Sequence, residues 1–501
     1  MSYMGLDIGQ TGCKAAVFDL NGRMLSSSYR EYQTLVPRPG WAEINSKRVA
    51  ESCFEVMKEA QNSCPDHPVR GLGISSQGEA FTPVGSHGSF LGNAMITFDK
   101  RASEIMQRWC RDFGLEKLYR ITGHTAHPMF SLFKLQWIRE NRRAIFDRAE
   151  KFLCFEDLVQ YCLGLEPCIA LPLAGRTMMF NVMKQDWDDE ILEACGVSRL
   201  KLARPLPSGR AAGMVCADAA SKLGFSRQVV VAAGGHDQPM GAIGAGVASP
   251  GDAMYAMGTS EAITPVMPGP VFDRHLMNNN LCTYNYILKD TYTTVAFSLT
   301  GGNLLKWFRD QWGQMESLEA EGTGANVYDI ILERMSKNPS NLLALPYFTP
   351  TGTPYFDTEA TGAILGLNLS TTREEVLRTL LEGVAFEMRL NLDLLETSGI
   401  PVNELRAIGG GAKNENLVQL KADVLNKLLV TVQVNEAACL GGAMLACSAV
   451  SGEPVESLAQ KWVKKGPTVD PMPENAEVYH NRFDRYKQLY PALKKFGIQE
   501  F

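Results

Sequence analysis

Asp7-Ile8-Gly9-Gln10-Thr11-Gly12-Cys13-Lys14 decides how this chain is read, together with a second stretch, Met257-Gly258-Thr259-Ser260, in the other half of the sequence. Each sits between short alternating runs: Met4-Gly5-Leu6 and Ala15-Ala16-Val17-Phe18 around the first, Ala253-Met254-Tyr255 and Ala262-Ile263 around the second. Alternation of this kind predicts strands, and a tight glycine turn between strands points successive backbone N–H groups and hydroxyls at one spot. That geometry suits phosphate. Two such turns suggest a nucleoside triphosphate held between two similar domains, whereas either turn alone reads as an ordinary hairpin.

The rest of the chain bounds that reading. At 501 residues the sequence exceeds one core, so two domains of roughly 200–250 residues are expected, with the division at 1–246 and 247–501. Hydrophobic content of 45% with 21% charged residues is that of a globular α/β protein. A net charge of −6 provides no basic field to displace counterions, which excludes nucleic acid as the expected partner. Twelve cysteines show no Cys-x-x-Cys pair, so a structural zinc site is not expected and reduced, core-packed thiols are. With no basic-then-apolar leader and no uncharged run of membrane-spanning length, the expected setting is the cytoplasm. A homodimer is left open.

The patterns place a third strand around Met24–Tyr32 and a helix over 46–63. A strand over Val69–Ser75 runs into Ser76-Gln77-Gly78-Glu79, and a buried strand over 229–233 ends in Gly234-Gly235-His236-Asp237-Gln238. Polar residues just past such strand ends line clefts in α/β sheets. The second half restarts with a hairpin over 252–264, then predicts a long helix over 373–398, a strand over 404–408 ending in Gly409-Gly410-Gly411-Ala412, and a helix over 437–450. Thr349–Glu359 reads as a surface loop and 475–490 as a peripheral helix.

Chemistry is expected at Asp237, where a carboxylate could take the proton of a substrate alcohol as it attacks a γ-phosphoryl group; capping of the next helix is the alternative. Asp7 is a candidate Mg²⁺ partner, or accepts N–H groups inside its own turn. Gly9, Gln10, Thr11, Gly12, Gly258 and Thr259 are candidate phosphate contacts, with Lys14 adding charge unless it faces solvent. Gln77, Gly78, Glu79, Asp99, Arg101 and Gln238 are candidates for a polyhydroxylated ligand, although Asp99–Arg101 also fits a helix start. Gly409–Ala412 would let backbone approach adenine and ribose closely, although triple glycine also occurs in plain turns. His236 reads as a space-filling neighbour.

Longer motifs now add up. Met129-Phe130-Ser131-Leu132-Phe133-Lys134-Leu135-Gln136-Trp137-Ile138-Arg139-Glu140-Asn141 and Gly362-Ala363-Ile364-Leu365-Gly366-Leu367, continuing to Glu382, resemble the two signatures of the FGGY carbohydrate kinases, with Thr379 where a smaller residue is usual. The turns, the Gly235–Gln238 and Gly409–Ala412 stretches, Gln419, Ala422-Asp423-Val424 and Glu436–Gly441 follow in that family's order. The resemblance spans about residues 3–450. It implies two ribonuclease H-like, actin-type ATPase domains closing over ATP with Mg²⁺ in an interdomain cleft, and phosphorylation of a sugar or polyol hydroxyl, usually a primary one. By position it makes Asp237 the base, Asp7 the acidic residue near Mg²⁺, and Thr259, Gly302, Gly411 and Ala412 ATP contacts.

For substrate the resemblance divides. Gln77, Glu79 and Asp237-Gln238 are similar to glycerol kinases, while the spacing from Ala412 to Gln419 and the Asp99-Lys100-Arg101 stretch are similar to xylulose kinases. Gly78 stands where glycerol kinases carry arginine, and its lack of a side chain is expected to open space for something longer than glycerol. The expected substrate is a four- to five-carbon sugar such as xylulose, with a glycerol-type polyol kinase as the alternative. A sugar- or nucleotide-sensing pseudokinase is the non-enzyme alternative.

Overall fold

In the first hairpin, β1 (Ser2–Ile8) pairs antiparallel with β2 (Gly12–Phe18), and the register Ile8 to Cys13 leaves Gly9, Gln10 and Thr11 as the turn. The structure, a computed structural model, describes residues 1–497. Strand β3 (Met24–Glu31) pairs with β2, and β4 (Val69–Ser76) runs parallel to β1 on its other side. Beyond β4 lie β5 (Ala211–Met214) and β6 (Val230–His236), giving a sheet in the order β5-β6-β4-β1-β2-β3. Helix α1 (Ser46–Asn62), capped by the Asn45 side chain, covers one face with Val49, Cys53, Val56 and Met57.

The second half repeats the plan. β7 (Asp252–Met257) and β8 (Glu261–Pro265) form the hairpin, and β9 (Ala296–Ser298) continues it. β10 (Glu404–Ile408) and β11 (Leu428–Val432) run parallel to β7, with β12 (Lys465–Val469) at the edge. The order β9-β8-β7-β10-β11-β12, with the same sequence of parallel and antiparallel pairs outward from β7 as from β1, matches the first sheet. Duplication of plan, expected from the two turns, is therefore present as strand topology.

Two helices lie between the sheets: α2 (Asp237–Gly244) and, from the other end of the chain, α6 (Ala437–Ser451). Between them in sequence come α3 (Gly302–Trp312), α4 (Arg373–Thr397) and α5 (Glu415–Leu425). Helix α6 carries no charged residue and packs against α2, β1 and β4. Its approach is backbone to backbone. A Cβ on Gly5 would overlap the Cys439 carbonyl, one on Gly73 the Gly442 carbonyl, one on Gly244 the Ala437 carbonyl, and one on Gly441 the Met240 carbonyl. A division at 246/247 thus separates the sheets, while α6 from the second half covers the first.

Two sequence expectations need correction. The C-terminal helix α7 (Pro473–Phe496) is built into the second half rather than peripheral. Tyr479 and Tyr486 are buried and donate to Glu382 (2.7 Å) and Glu387 (2.6 Å) on α4. Burial pushes the Glu387 carboxyl up to about 7, against the Tyr486 and Tyr347 hydroxyls. The stretch 349–359 has no regular structure, yet Thr351, Gly352 and Thr353 are buried, and Thr353 Oγ1 accepts the Phe297 N–H at 2.8 Å. Polar composition suggested exposure; backbone pairing with β9 overrode it.

Gly73→Ala must force α6 away from β4. The expected loss is about 2 kcal/mol or more, because overpacking against backbone relaxes poorly. A lowered apparent melting temperature, with Gly410→Ala (nothing lies within 4 Å) as the unchanged control, checks it.

Candidate active site

The parallel strands β1, β4 and β6 bring three chain segments to one sheet end. Asp7 lies opposite Ser75 and Ser75 opposite Gly235, so the three stand in one row. Ser75 Oγ donates to Asp7 Oδ1 at 2.7 Å. Burial raises the Asp7 pKa, with the Ser75 hydrogen bond and Lys14 opposing and Glu436 adding to the rise. One residue past β6, Asp237 opens α2. It is the first helical residue, His236 occupies the cap position, and no side-chain capping bond forms. About a third of the Asp237 side-chain surface, 32%, is open, and it faces the cavity described next. Its pKa is pushed up to about 7, first by burial and then by the Asp7 and Glu79 carboxylates, with Arg176 pulling it down. A carboxylate with that value changes protonation near neutrality.

A cavity of about 190 Å³ joins Asp237 to both glycine turns: Gln10 of the first and Ser260 of the second are in its wall, with Gln77, Gly78, Glu79 and Gln238. The sequence candidates divide here. Glu79, in left-handed backbone (φ 65°), is buried and paired with Arg176, whose Nε donates at 2.6 Å. Thr97 donates to its second oxygen at 3.2 Å, and Ser131 holds its carbonyl at 2.9 Å. Gln77 donates through Nε2 to the Gly9 carbonyl at 3.0 Å, bracing the first turn, while its Oε1 is buried without a partner. Gly78 does not open the space expected of it. An added Cβ would lie 3.2 Å from both Arg176 Nε and His236 Cδ2, so an arginine and a histidine from elsewhere in the sequence already fill that side.

Asp99 and Arg101 are not in the cavity wall. Asp99 accepts the Ala42 N–H at 2.7 Å and pairs with Arg101, which also pairs with Glu43 and stacks 3.7 Å over the Trp41 ring. This closed network ties the 40s to the 99–101 turn; the helix start allowed for Asp99–Arg101 comes instead at Ser103, with no side-chain cap. Lys14 is likewise engaged, 2.7 Å from Glu436 ahead of α6. His236 is more than filler: Nδ1 lies 3.0 Å from the Tyr284 hydroxyl and Nε2 lies 3.2 Å from Asp237 Oδ1. Burial holds its pKa well below the usual histidine value, so it is neutral.

On the other side, Gly302 begins α3 by donating to the Gly258 carbonyl at 2.9 Å, and a Cβ there would sit 2.8 Å from that oxygen. Gly409 (φ 92°) and Gly411 press on Met257, while Gly410 faces open space. Gly258, Thr259, Gly302 and Gly409–Ala412 thus form one glycine-walled surface, with the Thr259 side chain exposed, as Thr11 is across the cleft. Glu261, two residues past Thr259, carries a buried pair with Lys421 at 2.8 Å. Arg176, His124, Phe297 and Phe356 in the cavity wall were missed; each is brought in by long-range packing and carries no local signal.

A model of the N-terminal domain of the FGGY family of carbohydrate kinases matches residues 2–244, and one of the C-terminal domain matches 253–450. The chain belongs to the FGGY family of carbohydrate kinases. This FGGY kinase is 26% identical to the xylulose kinase of Bacillus subtilis, over 99% of the chain and 98% of that relative. It is 29% identical to glycerol kinase 2 of Thermotoga maritima, over 92% and 93%. The crystal structure of ligand-bound xylulose kinase from Lactobacillus acidophilus superposes with a TM-score of 0.88 at 22% identity, covering 98% of each chain, which shows the two-domain fold. Kinases of this family use ATP as phosphate donor. No helix among the described residues is long and apolar enough to cross a membrane, and no cluster of three or more metal-ligating side chains occurs among them.

Because Asp99 and Arg101 lie outside the cavity wall, Arg101→Ala is expected to lower the melting temperature while leaving the KM for sugar and for ATP within about twofold. Breaking a buried pair costs about 3 kcal/mol or more. Steady-state kinetics beside thermal melts separates the two effects.

Proposed function

We propose that this kinase transfers the γ-phosphoryl group of ATP to a primary hydroxyl of a four- or five-carbon sugar, a ketopentose such as xylulose first. The observation that carries the reading is that Asp237 shares one small cavity with Gln10 and Ser260, so a substrate hydroxyl beside the carboxylate lies within reach of both turns. Small volume suits a single monosaccharide, since drug-sized pockets run to about 300 Å³ and more.

In this reading Asp237 is the general base. It accepts the hydroxyl proton as the oxygen attacks, and its pKa near neutrality keeps it both ionised and basic. The Gly9 and Gly258 amides close their own turns, to Gly12 and Ser260. Gln10, Thr11, Gly12 and Thr259 therefore line the phosphates, with Gly302 and Gly409–Ala412 supporting adenosine. Asp7 fits a Mg²⁺ ion: it is a carboxylate raised by burial at the base of the phosphate turn, with a second carboxylate, Asp237, raising the local negative charge. Mg²⁺ would neutralise phosphate charge. Glu79 holds Arg176 in place, and Arg176 offsets the Glu79 and Asp237 carboxylates beside the acceptor. Closure of the two halves keeps out water, a competing nucleophile.

A glycerol-type polyol kinase is the second reading, favoured by Gln77, Glu79 and Gln238 in the wall and by the similarity to the Thermotoga maritima glycerol kinase. ADP release across glycerol, tetritols, pentitols and ketopentoses decides between them; glycerol as the best substrate by kcat/KM selects the second.

Asp237→Asn is expected to lower kcat by about 10²–10⁴-fold with ATP affinity kept, measured by titration calorimetry; near-normal turnover removes Asp237 from the base role. In the wild type, kcat/KM should fall as pH drops through about 7, because the base must be deprotonated. Arg176→Met removes the cation that pulls this value down, so the acid limb should move to higher pH.

A further inference from the structure

His124 lies in the cavity wall and is 1% exposed. Its ring packs on Phe130 (5.0 Å between centroids) and on Tyr284 (5.4 Å), and its Nε2 is buried with no hydrogen-bond partner. Burial and the neighbouring Arg176 hold the imidazole neutral. A buried polar atom left unpaired destabilises the fold, and such atoms are rare enough that each calls for a cause. Here two more share the same cavity, Gln77 Oε1 and Gln238 Oε1. For Gln77 the bond from Nε2 to the Gly9 carbonyl fixes which amide atom is the acceptor. Three residues that carry an orphaned polar atom thus line one small space. An apolar residue at 124 would fill the same aromatic niche and remove the cost, so packing alone does not explain a histidine there.

We propose that His124 is a substrate-contacting residue whose imidazole hydrogen-bonds a sugar hydroxyl other than the one phosphorylated. The inference rests on the sugar-kinase reading above and adds a specificity determinant to it. Gln77 and Gln238 take hydroxyl protons from the same ligand. Glycerol has two hydroxyls beyond the one phosphorylated, fewer than the three orphans, whereas a tetritol or ketopentose has three.

The test uses full-length His124→Phe and His124→Asn, with D-xylulose, erythritol and glycerol as probes. For His124→Phe, KM for xylulose or erythritol should rise about tenfold or more, with kcat within about threefold and the KM for ATP unchanged; tenfold corresponds to 1.4 kcal/mol, the scale of one hydrogen bond. The KM for glycerol should move less. His124→Asn, which keeps a polar group, should fall between. The melting temperature of the sugar-free Phe variant should equal or exceed the wild type, because an unpaired polar atom has been removed. A purely structural histidine gives the reverse: lower melting temperatures in both variants and unmoved sugar KM in the Asn variant, and that result overturns the proposal. If no probe drives ADP release from the wild type, the sugar reading fails on its own account, and the sugar-free melting comparison decides the role of His124.

Discussion

Everything at the active site depends on how closely α6 lies on the first sheet. Glycines at 5, 73, 244, 441 and 442 remove the side chains that would hold helix and strands apart, so helix backbone meets strand backbone. That contact fixes β1 and β4 against a helix whose own start, Glu436, reaches Lys14 in the strand after the first glycine turn. It also seats α2, and with it Asp237, because Gly244 and Gly441 allow the two helices to touch. Apolar contact alone would hold these elements together; only the missing Cβ atoms set their spacing. The cost is conformational, since glycine inside a helix or strand loses more freedom on folding than alanine.

The electrostatics of the cavity follow from that spacing. Asp7, Glu79 and Asp237 arrive from three strand ends of one sheet, and the Asp7 and Glu79 carboxylates make Asp237 harder to ionise. Arg176, which pairs with Glu79, is the cation that acts against this at Asp237, and it comes from a turn nearly a hundred residues beyond Glu79 in sequence. Lys14, the cation nearest in sequence to the turn, is drawn instead to Glu436. Asp237 is thereby left protonatable near neutrality rather than locked as a carboxylate. Neutral His236, between Tyr284 and Asp237, adds a dipole without adding charge.

Much of this was legible in the residues. Strand–turn–strand patterns at both 7–14 and 257–260 are local, and local signals survive folding; so are strand ends such as Gly235-His236-Asp237, where polar residues interrupt a buried run. Asp237 and Gln77 could be placed for that reason. Failures came where tertiary packing decides. Asp99 and Arg101 look like ligand groups by composition, yet Trp41, Ala42 and Glu43 complete them from another segment. Gly78 looked like an opening, and Arg176 and His236 fill it. Thr379, unusual by family pattern, is satisfied by the Ser340 hydroxyl at 2.6 Å and its own helix. Arg176, His124 and Phe356 carry no motif, because their significance is a matter of which surfaces meet.

The stretch 349–359 has a consequence beyond its own packing. Phe356, in left-handed backbone (φ 48°), reaches the cavity wall beside Phe297, while its neighbour Asp357 is held from behind by Tyr490 and by Lys494 at 2.9 Å, both on α7. A single peptide bond therefore joins the cavity wall to a residue held by the terminal helix. Selection for altered substrate preference need not act on residues of the cavity wall. Variants emerging from random mutagenesis should include changes near 490–494, remote from the reacting atoms but mechanically adjacent to them.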